Sequence, residues 1–140
     1  MSPDLGTRRD ARERALELLY EADAKGVTPD DVVAELPVEP DAYAVDIVHG
    51  VHVHGEEIDA LIRRFAKGWT LERMPVIDRT LLRMAIYELG HRPDVSTATV
   101  INEAVELAKR FGTRQSAQFV NGILDKIHKK ELTAGTPETP

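Results

Sequence analysis

Cysteine is absent from the 140 residues, so neither a disulfide framework nor a thiolate metal site is available. A reducing, cytoplasmic setting fits that absence. Long apolar runs are missing too. The opening MSPDLGTRRDARER has no signal-peptide core, and no stretch approaches the ~20 apolar residues of a membrane span, so no membrane partner is expected. Aromatic residues are scarce at 5%, with one Trp, three Tyr and three Phe. Each ring therefore has to be accounted for, as core filler or as a surface for a ligand. No Gly-rich phosphate loop, HExxH pair or nucleophile motif occurs, so no cofactor and no catalytic residue is expected, and the chain reads as a binding protein.

The hydrophobic fraction is 42% and the charged fraction 30%, enough for one compact domain with its own core. Net charge is −6, which argues against indiscriminate binding to nucleic acid. Its distribution is polarised. From Glu21 to Asp59 there are eleven acidic residues and one basic, whereas Lys109 to Lys130 holds six basic and one acidic; residues 8 to 14 add four arginines against Asp10 and Glu13. One anionic face and one face able to hold a polyanion are implied, although solvated helix surface fits the same pattern.

Apolar spacing of three and four residues recurs almost throughout, and no strand pattern appears. Thr7 and Asp10 form a variant capping box for a first helix carrying Ala11, Ala15, Leu18, Leu19 and Ala22 up to Gly26. Thr28-Pro29 opens a short second helix through Leu36. A third runs from near Asp41 through Val45, Val48, Val51, Ile58, Leu61, Ile62 and Phe65, with Gly55 an irregularity. KGWTLERMP, residues 67 to 75, marks a junction at which Trp69 is expected to pack between two halves. The following helix, Ile77 to Leu89, is apolar around most of its circumference and should be buried. Two more helices follow, one ending at Gly112 and one from about Gln115 to Lys130, in which Gly122 is expected to let helices approach closely. The fold class is all-α, with six or seven helices in two bundled halves, about 7–68 and 69–130, of a single domain 1–132. Residues 133–140 are expected to be a disordered tail.

Three places could carry function. Arg8 and Arg9 would occupy the first positions of the first helix, where the dipole disfavours cations; with Arg12 and free N–H groups they would make a phosphate site, or a solvated helix start. Arg9, Glu13, Leu16 and Tyr20 share a second face of that helix, so Leu16 and Tyr20 form either a docking edge for another protein or a wider core stripe. KRFGTRQSAQF, residues 109 to 119, interleaves Lys109, Arg110 and Arg114 with Phe111 and Phe119, the combination that follows a backbone and stacks on unpaired bases. Both phenylalanines also fit core stripes, and Gln115 and Ser116 suit helix caps as well as base edges. Metal ligation is not expected: His49 and His52 share a face, but His54 points away and no further ligand has the required spacing. Glu103 and Glu106 lie one turn apart without a partner that would define a reaction.

Three ordered motifs resemble a known family. RRDARERALELLY resembles the arginine-rich opening helix of NusB proteins, WTLERMPVIDRTLLRMAIYEL their central helix, and VINEAVELAKRFGTRQSAQFVNGILDKI, with INEAVELAK and FVNGILDK within it, their most distinctive stretch. Together they cover nearly all the chain except residues 25 to 45 and the tail. The resemblance implies a transcription antitermination factor that pairs with the ribosomal protein NusE, binds boxA-type single-stranded RNA of ribosomal RNA leaders and joins the transcription elongation complex. By position, it implies RNA contacts for Arg8, Arg9, Arg12, Phe111, Gln115, Ser116 and Phe119, and a NusE-facing surface at Tyr20 and Asp78. A helical protein adaptor that binds no RNA is the alternative. NusB-like domains also occur fused to RNA cytosine methyltransferases, but 140 residues leave no room for the catalytic domain, so no enzymatic activity is expected.

Overall fold

The first helix, α1 (Pro3–Lys25), begins earlier than its capping signal suggests. Proline at the first helical position lacks only an N–H that would have no partner there, so the helix can start at Pro3 and run through Thr7 to Asp10. Arg8 and Arg9 consequently sit in its second turn, where backbone N–H groups are already bonded, and the free-amide phosphate site expected at them is not formed. Gly26 ends the helix at φ 70°, a conformation that a side chain would strain. The Val27 N–H then bonds the Ala22 carbonyl at 3.1 Å and closes the last turn.

In the computed structural model, residues 3–132 are described, and among them there are seven α-helices and no strand. After α1 come α2 (Pro29–Ala34), α3 (Ala42–Val53), α4 (Gly55–Phe65), a 3-10 turn at Leu71–Arg73, α5 (Val76–His91), α6 (Thr97–Phe111) and α7 (Ser116–Ile127), with a π turn at His128–Leu132. The tail expected to be disordered lies outside the described residues. Thr28, Asp41 and Ser96 cap α2, α3 and α6 by accepting backbone N–H bonds.

The long third helix expected from residue 41 to 65 is two helices. His54, at φ −99° and ψ 18°, leaves helical geometry and Gly55 follows it, so the chain turns there. The turn redirects the packing: α3 lies against α1, α2 and α5, whereas α4 reaches α5 and α7. Central position falls to α5, which touches α1, α3, α4, α6 and α7. It buries Leu81, Leu82, Met84, Ala85, Ile86 and Tyr87 in a core continuous with Leu18, Ile47, Ile58, Ile62, Leu124 and Ile127. Burial of that many apolar side chains, at roughly 1.5–3 kcal/mol each, holds the helices together.

Close helix approach occurs at Gly50 and not at Gly122. A Cβ on Gly50 would run into the Tyr87 ring, while one on Gly122 would meet open space. No helix among the described residues is long and apolar enough to cross a membrane.

Candidate nucleic-acid interface

Arg12 departs furthest from its expected role. It is 2% exposed, and its Nε and Nη2 donate to both carboxylate oxygens of Glu88 at 2.8 Å. Burial alone would weaken its charge, but hydrogen bonding and attraction from Glu88 outweigh that cost and hold the guanidinium more firmly protonated than usual. Direct contact between Arg12 and phosphate is thereby withdrawn, because the group is enclosed and its fork is already occupied by a carboxylate. Tyr43 completes the arrangement. Its hydroxyl donates to Glu88 Oε2 at 2.5 Å, and burial followed by that acceptor pushes the phenol well above its ordinary range.

Around this buried pair the other arginines are exposed and also matched. Arg8 donates to Asp94 at 3.1 Å and lies 4.5 Å from the Tyr43 ring centre, where Arg92 lies at 4.6 Å. Hydrogen bonding from Arg92 holds the Asp94 carboxyl down to about 2. Arg9 donates to Glu103 at 3.0 Å and keeps more than half of its side chain in solvent. The Arg8–Asp94 pair lies in solvent and can exchange its partner for a polyanion at small cost, whereas Arg9 caps a buried carboxylate, Glu103, and is held more firmly.

The junction between α6 and α7 is built differently. Ser116 is fully buried: its Oγ accepts the Thr113 N–H at 2.8 Å and donates to Asp78 Oδ1 at 2.5 Å. Burial pushes the Asp78 carboxyl up from its ordinary value, and the Ser116 hydroxyl partly opposes this. Ser116 is enclosed and not placed for direct contact with a ligand, whereas Asp78, almost as deeply buried, keeps only an edge on the cavity above; together they fix the loop that carries Thr113 and Gln115. Above them opens a cavity of about 290 Å³, lined by Trp69, Pro75, Asp78, Thr113, Gln115 and Phe119. Trp69 is half exposed and meets the half-buried Phe119 edge to face, centroids 5.9 Å apart at 67°. Phe111 stands apart from this cavity, 41% exposed, with the Arg110 guanidinium over its ring at 4.8 Å. It has left the core stripe that its spacing allowed.

On the second face of α1, three of the four aligned residues are used within the molecule. Arg9 reaches Glu103, Glu13 takes Arg110 at 2.9 Å, and Leu16 is buried at 3% exposure. The wider-core reading therefore holds for Leu16, which is not placed on a docking edge. Tyr20 remains exposed at 48%. It lies one turn before Asp23, which pairs with Arg79 beside Asp78.

Trp69, Glu88 and Tyr43 were not readable as site residues. A carboxylate inside the apolar run MAIYEL was the available signal for Glu88, since a buried charge demands a partner. Trp69 was expected between the halves, and only the folded chain shows its ring turned toward Phe119.

Among the described residues, seven α-helices with α5 at the centre, carrying two candidate ligand surfaces, define a small all-α protein. The chain belongs to the NusB family of transcription antitermination proteins, whose family model matches residues 9–129. It is 44% identical over 137 residues to the transcription antitermination protein NusB of Acidothermus cellulolyticus, a match covering 95% of this chain and 94% of that one. Its fold matches T. maritima NusB with a TM-score of 0.80 and 34% identity, covering 88% and 91% of the two chains. A structure of the antitermination factors NusB and NusE in complex with double-stranded RNA is also similar, with a TM-score of 0.73 and 29% identity over 87% of this chain and 96% of that one. The resemblance read from the sequence thus identifies the family correctly.

Proposed function

We propose that this protein binds boxA-type single-stranded RNA of ribosomal RNA leaders together with ribosomal protein NusE, and carries that RNA into the transcription elongation complex. The cavity at the α6–α7 junction is the observation that carries the reading. It offers two aromatic edges, Trp69 and Phe119, beside the amide of Gln115, with Arg110 and Arg114 on exposed positions nearby. Unpaired bases need such a combination: a ring to stack on, a hydrogen-bonding group for the base edge and cations for the backbone. Arg8, in an exchangeable surface pair with Asp94, and the exposed side of the Arg9 guanidinium extend the phosphate-binding capacity along α6. The similar structure that holds NusE and RNA supports these two ligand classes.

Tyr20 is assigned to the NusE surface. An exposed ring on a helix whose opposite side is buried suits the centre of a protein contact. Asp78 instead borders the α6–α7 cavity, where it orients Ser116 and the loop.

Fluorescence-anisotropy titration with boxA-like and scrambled RNA, with and without NusE, tests the proposal. Preferential, salt-sensitive binding of the boxA-like strand, strengthened by NusE, is expected. Binding of neither strand would favour the adaptor that binds NusE alone, and equal binding of both would overturn the boxA preference.

A further inference from the structure

His54, Glu57 and His91 come together on the side of the molecule where α3, α4 and α5 meet. His54 is the residue at which α3 ends and α4 begins, Glu57 lies in the first turn of α4, and His91 is the last residue of α5. One nitrogen of each imidazole and one carboxylate oxygen lie within 4.8 Å of one another. His54 Nδ1 is 2.9 Å and His91 Nε2 3.7 Å from the same oxygen, Glu57 Oε1. Along α5, His91 is about 20 Å from Asp78, so this cluster is separate from the ring-lined cavity.

We propose that these three side chains form a binding site for a divalent transition-metal ion, with Zn²⁺ the best fit. Two imidazoles and one carboxylate, with the fourth position left to water, are a recognised zinc ligand set. Ligands about 2.1 Å from a tetrahedral ion are roughly 3.4 Å apart, so the His54–Glu57 contact must open by about 0.5 Å and the His91–Glu57 contact close by about 0.3 Å. Glu57 and His91 are exposed and free to make that adjustment. The imidazole rings are stacked, centroids 3.9 Å apart at 24°, and each has a nitrogen turned to the same Glu57 oxygen. Their in-plane lone pairs run nearly parallel, so His91, at the exposed end of α5, must tilt for both to reach one ion.

A rigid support lies behind the rings. Tyr87 stacks on His91 at 5.1 Å and on His54 at 6.0 Å, donates its hydroxyl to Asp46 at 2.9 Å and packs its ring on Gly50. The ion would tie the α3–α4 turn to the end of α5. In the sequence only His54 and Glu57 have a short spacing, and His91 is supplied by the fold. His49, which belonged to the conspicuous histidine triplet, instead pairs with Asp30 at 2.9 Å.

Titration of the full chain, without a histidine tag, with Zn²⁺ alone tests the site by calorimetry, and Co²⁺ absorption reports the coordination geometry. One equivalent of Zn²⁺ should bind saturably, and Co²⁺ should give the visible bands of a four-coordinate ion. His91→Ala and Glu57→Gln, both at exposed positions, should each weaken Zn²⁺ binding by about tenfold or more. His52→Ala, an exposed histidine outside the cluster, should leave it unchanged. Circular dichroism on each variant separates ligand loss from unfolding. Absence of saturable binding, or wild-type affinity in folded His91→Ala, would overturn the proposal.

Discussion

The arginine cluster at α1 and the cavity at the α6–α7 junction, the two candidate ligand surfaces, are built from opposite resources. In the first region cations are abundant, but each has a carboxylate: Arg12 has Glu88, Arg9 has Glu103, and Arg8 has Asp94. In the second, the rings of Trp69 and Phe119 line a half-open hollow whose polar support lies beneath it. Charge written in a sequence is therefore a poor measure of charge available to a ligand. Exposed rings beside a hydrogen-bonding loop keep their capacity to bind.

The largest effect that would sharpen this contrast belongs to the buried pair. Glu88→Ala should leave the Arg12 charge enclosed without its partner and cost about 3–5 kcal/mol of stability. Chemical denaturation measures it, and a loss below about 1 kcal/mol would return Arg12 to the pool of surface arginines. Tyr20→Asp comes next. It should keep wild-type helicity, because the ring is half exposed, while calorimetric titration with NusE shows binding weaker by at least about 2 kcal/mol.

A smaller change is expected from Arg8 and Arg9. Replacing both with Ala should remove roughly 0.7 per lost phosphate contact from the slope of log affinity against log salt, with a modest loss of stability where Glu103 loses its partner. An unchanged slope would mean that their carboxylate partners are not exchanged for RNA. Asp78→Asn should have the smallest effect. Its folded carboxyl is raised, so the protonated form favours the fold: that contribution is fully present below the ordinary aspartate value and is lost as pH rises through the folded one. Asn keeps an acceptor for Ser116 but carries no charge. The variant should melt slightly higher than wild type at neutral pH, and the gap should close near about pH 3.

The helical class and the buried α5 were legible because apolar periodicity is a local property. The start of α1 was not, because Thr7 and Asp10 offered a cap that the chain passes through once Pro3 opens the helix. Burial of Arg12, Leu16, Asp78 and Ser116 depends on what lies across from them, and periodicity along one helix does not name that partner. Phe111 and Phe119 show the same limit from the other side: both suited a core stripe, yet one is exposed and the other edges a cavity. His91 was invisible as a companion of His54 because 37 residues separate them in the chain.

The most direct test of the account is the affinity of Phe119→Ala for boxA-type RNA, measured by anisotropy titration on protein shown to be folded. Stacking on this ring predicts a loss of about 1–3 kcal/mol, roughly fivefold to more than a hundredfold. Wild-type affinity in the folded variant would contradict it and place RNA recognition elsewhere on the molecule.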